Sequence, residues 1–336
     1  MTLRTPRRWY RRGPRSFSLL RLLGAPLSAI WTVATAWRIA RGAPVDPGAP
    51  VICVGNLTLG GAGKTPVARE LARRLIASGR AAQVLTRGHG GRLGGPARVD
   101  VARHTAADVG DEALMMAADA PVWVARDRAA GARAAVAAGA DIIVMDDGHQ
   151  NTALSKALSL IVIDGETRDD EWPFGDGEVF PAGPMREPLA AGLARADAVV
   201  VLLPADLPAA SPELLSLFAG KPLLIARLTP RTPPPAGPQV GFAGIGKPWK
   251  MERALRAAGC DLVDFAPLAD HQVLDERTLE FLAGRAAALG AGLVTSEKDW
   301  ARLPPAWRER VVAWPVQAVF EDDAAVGALL ARTART

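Results

Sequence analysis

Apolar residues in this chain fall into short, near-continuous runs separated by Ala-rich stretches with helical spacing. Residues 51–54, 83–86, 122–125, 141–145, 160–163 and 198–203 read as buried strands. Residues 67–76, 111–118 and 127–138 carry the intervening helical pattern. Strands that are apolar on both faces and alternate with helices predict a mostly parallel sheet covered on both sides. Right-handed crossovers then gather the loops after each strand at one edge, where ligands bind. Residues 229–238 contain five prolines and read as a linker. Beyond them a second α/β pattern follows, with strands at 240–243, 262–265, 292–295 and 311–314 and a helix near 249–258. The expected organisation is a front segment 1–45, a core unit 46–228, a linker 229–239 and a smaller α/β unit 240–336.

The front segment follows a different pattern. Leu22 to Trp37 is a 16-residue run without charge, between Arg21 and Arg38. As a helix it spans roughly 24 Å, short of the ~30 Å hydrocarbon core of a bilayer. Leu20, Leu23, Leu27, Ile30, Ala34 and Trp37 share one helical face, with Trp31 at its border, and Pro26 bends the helix. Residues 1–45 hold nine arginines and no acid, leaving 31 basic and 35 acidic residues elsewhere, a body of net −4 in a chain of net +5. Positive charge confined to the front points to an anionic lipid surface and not to a nucleic-acid groove. A helix in the headgroup region fits both features. The competing readings are a core-packing first helix and a cleaved export signal ending near Ala34-Thr35-Ala36.

With 336 residues and 49% hydrophobic content, the chain is long enough for two cores. Cys53 and Cys260 are its only cysteines, too few for a disulfide scaffold or a zinc cluster. They read as buried thiols of a cytosolic protein with a membrane-facing front. Oligomeric state is not legible.

The chemistry begins at Thr58-Leu59-Gly60-Gly61-Ala62-Gly63-Lys64-Thr65, between a strand and a helix. In that setting, successive amides, the helix dipole and Lys64 converge on a polyphosphate, and the Thr65 hydroxyl reaches Mg²⁺. Thr58 stands where the P-loop pattern has its first glycine. Lys is rare here, six against 34 Arg, so a lysine at this spot carries weight. An export signal fits poorly with it, because an exported enzyme has no ATP. The run 141–147 ends in Asp146-Asp147, a strand end of the kind that binds Mg²⁺ beside a P-loop; which of the two acids is nearer the metal stays open. Arg87-Gly88-His89-Gly90-Gly91, Arg126-Asp127-Arg128 and Pro184-Met185-Arg186-Glu187 offer glycines and arginines to an anion. Read alone, Asp111 and Glu112 are helix-capping and dipole residues. Asp270-His271 ends a strand-like run in the second half. No Asn-Lys-x-Asp base-reading motif appears, and Glu297-Lys298-Asp299 is only a partial echo of one.

Residues and spacing alone thus give a Mg²⁺-dependent P-loop phosphotransferase or NTPase. The order of the motifs resembles the tetraacyldisaccharide 4′-kinase family, the lipid A kinases. The resemblance runs through residues 54–66, 86–91, 109–112, 126–128, 146–150, 180–188, 270–271 and 295–299, and the Pro181-Ala182-Gly183-Pro184-Met185-Arg186-Glu187-Pro188 stretch is its most specific part. His89 stands where Tyr is expected, His149 where Leu or Phe is usual, and Asn151 where His is usual. The resemblance implies a P-loop NTPase-like fold and transfer of the ATP γ-phosphate to the 4′-hydroxyl of a tetraacyl disaccharide 1-phosphate at the inner face of the inner membrane. It implies Asp111 as base helped by His271, with Lys64, Arg128 and Arg186 around the phosphates. The contrasting expectation is a membrane-docked regulatory or partitioning NTPase, which needs no Asp111–His271 pair.

Overall fold

A computed structural model describes residues 6–12 and 19–333, without the side chains of residues 19–22. Arg4 and Arg15 lie outside the described residues, as do the side chains of Leu20 and Arg21, and with them the expectations placed on those residues. In chain order the strands are β1 (Val51–Gly55), β2 (Ala82–Thr86), β3 (Ala97–Arg98), β4 (Val122–Val124), β5 (Ile142–Asp146), β6 (Leu158–Asp164), β7 (Ala198–Pro204), β8 (Leu223–Pro230), β9 (Gln239–Ala243), β10 (Leu262–Pro267), β11 (Gly292–Ser296), β12 (Val311–Trp314) and β13 (Val316–Phe320). They form a nine-stranded sheet in the order β13-β8-β7-β6-β1-β5-β2-β4-β3 and a four-stranded sheet in the order β10-β9-β11-β12. β1 lies between β5 and β6 and runs parallel to both, pairing Val54 with Asp146 and Gly55 with Ile161. In the large sheet β3 and β13 pair antiparallel with β4 and β8. All strands of the small sheet are parallel.

Central strands of the large sheet are buried on both faces, as their unbroken apolar runs require. One face packs against Val67, Ala68, Leu71 and Leu75 of the helix Lys64–Ala77, joined by Val326 and Leu329 of the last helix, Asp323–Ala331. On the other face Ala132 and Ala135 of the helix Arg128–Ala137 meet Val51, Cys53 and Leu85. Small alanines bring that helix close to the sheet.

The end of the chain departs from the expected division at 240–336. β13 leaves the smaller sheet and pairs antiparallel with β8, from Val316 opposite Pro230 to Phe320 opposite Ala226. The smaller unit is therefore an insertion between β8 and the edge strand β13 of the larger sheet. The Pro-rich segment also begins later than expected, because β8 continues to Pro230.

The front helix is Leu19–Ala40, 22 residues with Pro26 inside it. Among the described residues, no helix is long and apolar enough to cross a membrane. Its orientation rules out the core-packing reading. Gly24 and Ser28 face the protein, while Leu23, Leu27, Ile30 and Val33 are between 57 and 68% exposed and Trp37 is exposed with them. A helix that turns small residues inward and large apolar ones outward inverts the soluble rule and marks an interaction face.

Candidate functional site

The phosphate loop leaves β1 and enters the helix Lys64–Ala77 through Gly63, whose φ of +80° lies in the left-handed region. A Cβ there would lie 2.1 Å from Leu202 Cδ2, so glycine is required on two counts. Thr58 is held by Arg186, whose Nε donates to the Thr58 carbonyl at 3.0 Å. The Leu59 amide donates to the Pro184 carbonyl at 2.8 Å, which removes it from the cradle's donors. The amides of Gly60, Gly61, Ala62 and Gly63 make no bond to other backbone carbonyls among the described residues. Together with the orphan amides of Lys64 and Thr65 at the helix start, they form the anion cradle.

Asp146 and Asp147 end β5 beside this loop, as the β1–β5 pairing demands, and they do different things. Asp146 is fully buried; its Oδ2 accepts the Thr65 hydroxyl at 3.4 Å and its Oδ1 has no partner. Burial, with Glu112 nearby, lifts its pKa well above the carboxylate range against the pull of Lys64. An orphaned carboxylate oxygen next to a threonine hydroxyl fits a Mg²⁺ site, and the ion's charge would reverse that lift. No group of three or more His, Cys, Asp or Glu side chains poised for a metal occurs among the described residues. Nucleotide oxygens and water must therefore complete any such shell. Asp147 instead accepts both arms of Arg186, at 2.8 and 3.3 Å, and lies 3.5 Å from Lys64 Nζ. Burial opposes its ionisation, but Lys64 and Arg186 outweigh burial and hold its carboxyl well below the usual range.

The opposite wall comes from the smaller unit, with the C-terminal ends of both sheets facing each other. Gly246, after β9, approaches the phosphate loop so closely that a Cβ would lie 2.9 Å from the Gly61 nitrogen. His271, after β10, puts Nδ1 3.0 Å from Asp111 Oδ2. The ring and the carboxylate are thus in direct electrostatic contact. Asp111 Oδ1 meanwhile accepts the Glu112 amide at 2.9 Å, but the N-cap of this helix is Gly110, so Asp111 is its first residue and not the cap that the sequence suggests. Lys298, after β11, reaches Glu112 Oε1 at 3.1 Å and His271 Nε2 at 3.2 Å. Arg302 Nε stands 3.6 Å from Asp111 Oδ2. Burial works against Asp111's charge, yet His271, Lys298 and Arg302 keep its pKa lowered; Asp111 in turn raises that of His271.

The family model described as tetraacyldisaccharide-1-P 4′-kinase matches residues 20–335. The chain belongs to that family. A tetraacyldisaccharide 4′-kinase of Phenylobacterium zucineum is 66% identical over 330 residues, covering 98% of this chain and 99% of the relative. One from Maricaulis maris is 48% identical over 333 residues, covering 98% and 96%. A crystal structure of LpxK from Aquifex aeolicus in complex with ATP superposes with a TM-score of 0.73 at 23% identity, over 94% of this chain and 99% of that one. At that identity the superposition speaks for the shared fold.

The three positions expected to depart from the family pattern sit in different settings, and Asn151 Oδ1 accepts the Ala153 amide at 3.0 Å in the loop after β5. His149 is buried, with Nδ1 3.2 Å from Ser159 Oγ and Nε2 3.1 Å from the Gly192 carbonyl. Burial, with Arg195 and Lys156 nearby, pushes its pKa well down, so it packs as a neutral side chain. His89 is exposed at the site mouth, its ring 5.3 Å from that of His271. Arg128 is buried and donates to the Ala125 carbonyl at 2.9 Å. Burial pulls its pKa down to about 10, which leaves it charged, with Asp146 and Asp147 as the nearest balancing acids. Lys298 and Arg302 received no role from the sequence; the signal was the 295–299 motif itself, whose partners lie in another unit.

Proposed function

We propose that this chain transfers the γ-phosphoryl group of ATP to the 4′-hydroxyl of a tetraacyl disaccharide 1-phosphate at the cytoplasmic face of the inner membrane. The observation that carries the reading is the Asp111–His271 approach of 3.0 Å across the two units, beside the phosphate loop. A hydrolase without an acceptor has no use for such a pair. Asp111 accepts the hydroxyl proton, and His271 orients it and stabilises the proton once transferred. Lys64 and Arg186 neutralise charge on the transferring phosphoryl group, and Arg128 adds a fixed positive charge beneath the acidic strand end. Thr65 and Asp146 would hold Mg²⁺, which would supply charge neutralisation to the transferring phosphoryl group. The outward apolar face of the front helix, flanked by arginines, seats the enzyme where an acyl-chained substrate resides.

The test is an assay of labelled ATP with and without tetraacyl disaccharide 1-phosphate in mixed micelles. Label recovered in the lipid supports the reading. Hydrolysis that ignores the lipid, with no labelled lipid, would overturn it.

A further inference from the structure

Tyr10 is the chain's one tyrosine, and it ends the short 3-10 turn Arg7–Tyr10 upstream of the front helix. Its side chain is only 2% exposed. Its carbonyl accepts the Trp172 amide at 2.6 Å, and Arg11 bridges antiparallel to Glu171. Its hydroxyl donates to the Leu59 carbonyl in the phosphate loop. The Lys247 ammonium lies over its ring, 4.0 Å from the centroid, and also pairs with Asp164 at 2.7 Å at the end of β6. One phenol thus touches the phosphate loop and Lys247 of the smaller unit, and through Lys247 it is linked to the end of β6.

The contact to Leu59 has a geometric consequence. The Leu59 carbonyl and the Gly60 amide belong to one planar trans peptide and point in opposite directions. Holding the carbonyl from Tyr10's side turns the Gly60 N–H to the other side. Gly60 has a φ of +82° and, lacking a Cβ, no side-chain restraint of its own. A flip of this peptide would turn a carbonyl oxygen toward the phosphates in place of an N–H donor. Leu59 is tied at both ends, by Pro184 at its amide and by Tyr10 at its carbonyl.

We propose that Tyr10 is a positioning residue for ATP: its hydroxyl locks the 59–60 peptide so that the Gly60 amide serves as a cradle donor. The segment before the membrane-facing helix is then part of the phosphate site's outer wall and not only a tether. This rests on the reading that the loop holds ATP.

Tyr10→Phe keeps the ring and its packing and removes only the hydroxyl. In the full chain, ATP–Mg²⁺ affinity is measured by calorimetry without lipid, beside vesicle cosedimentation, nucleotide-free Tm and KM for the lipid acceptor. The expected result is an ATP dissociation constant raised roughly threefold to tenfold, the share of one hydrogen bond, with vesicle binding and lipid KM unchanged. Because Tyr10 is the sole tyrosine, replacing tyrosine with 3-fluorotyrosine gives a single ¹⁹F signal. That signal should shift when ATP–Mg²⁺ is added. Unchanged ATP affinity in Tyr10→Phe with only Tm lowered, or a fluorine signal blind to ATP, overturns the proposal. Wild-type protein that binds no ATP is a distinct outcome and overturns the kinase reading with it.

Discussion

His271 Nδ1 and Asp111 Oδ2 approach to 3.0 Å although they belong to different units of the fold. His271 follows β10 of the inserted unit and has a φ of +55°; Asp111 opens the helix Asp111–Met116 of the larger one. Lys298 lies 3.2 Å from the other ring nitrogen. As Lys298 can only donate, the neutral imidazole carries its proton on Nδ1, toward Asp111. Each residue is thus useful only with the other in place. Asp111→Ala and His271→Ala should each lower kcat about a hundredfold or more, and the double substitution should add little. Lipid phosphorylation measured over the cycle, with ATP binding followed separately, checks this. Fully additive losses would mean that the two residues do not act as one unit.

The same pair sets a pH dependence. Asp111 raises the pKa of His271, with Asp270 adding to it and burial and Lys298 opposing; Arg302 and His89 complete its surroundings. A histidine whose folded pKa is raised contributes stability below its unfolded value of about 6.5 and loses it as pH rises through the folded value. Asp111, with a lowered pKa, contributes above its unfolded value of about 4 and loses that as pH falls through the folded one. The Tm gap between wild type and His271→Gln should therefore be widest between roughly pH 4 and 6.5 and should narrow toward alkaline pH. A gap constant across pH would contradict the pairing.

What the sequence shows and hides follows from range. The phosphate loop, the acidic end of β5 and the outward apolar face of the front helix are local patterns, and each is found where the spacing puts it. β8 and β13 were missed because they pair at an edge, where half-burial breaks the continuous apolar run. That antiparallel pairing, Val316 with Pro230, joins residues far apart in sequence. Asp111 reads as a cap from its sequence neighbours alone, whereas the structure makes Gly110 the N-cap and sets Asp111 against the distant His271 and Arg302. Tyr10, Lys298 and Lys247 likewise take their roles from contacts that no window of sequence contains.

The two acids of β5 should part company on substitution. Asp146 has an unpaired oxygen beside Thr65, and if it holds the metal as proposed, Asp146→Asn should raise the Mg²⁺ concentration needed for half-maximal rate. Asp147 is engaged by Lys64 and Arg186. Asp147→Asn should chiefly lower kcat at saturating Mg²⁺. Lys64→Ala should cost at least about a hundredfold in turnover, since Arg186 cannot replace it at the β- and γ-oxygens. A Mg²⁺ titration of each variant distinguishes them; identical profiles for the two Asn variants would defeat the division.

Arg69 clasps the two units. It is buried, pairs with Asp119, and reaches both oxygens of Glu297 at 2.6 and 2.9 Å, while Arg231, the first residue after β8, pairs with Asp119 at 3.0 Å. Arg69→Met strands Glu297 opposite an uncharged side chain, and breaking one side of a buried pair typically costs about 3–5 kcal/mol. Part of that cost is avoided by opening the units, so the variant should show a lower Tm and a raised KM for both substrates. Restoring neither charge but removing both, in Arg69→Met with Glu297→Gln, should recover part of the Tm. No recovery would mean that Arg69 acts through Asp119 alone.

The front helix docks through its small face and leaves its apolar face free, which separates two effects that truncation would merge. Ser28 Oγ donates to the Val179 carbonyl at 2.7 Å and accepts the Ala182 amide at 3.0 Å, and Trp31 Nε1 donates to the Arg186 carbonyl at 3.1 Å. The Trp31 ring also packs edge-on to Phe180 at 5.0 Å. Removing residues 1–40 should release the chain from vesicles, and it also strips the loop that carries Arg186, so activity on dispersed substrate should fall too. Leu27→Ser with Ile30→Ser alters only the exposed face. Each lost apolar side chain removes about 1.5–3 kcal/mol of burial in the lipid boundary, so vesicle affinity should drop at least tenfold while ATP affinity holds. Salt should weaken wild-type binding only in part, since the apolar contribution is not screened. Trp31→Phe should do the reverse, keeping vesicle affinity and lowering kcat. If the truncated chain cosedimented as fully as the intact one, the outward face of this helix would not be the lipid contact, and the exposed Phe281 and Val273 of the smaller unit would be the next residues to test.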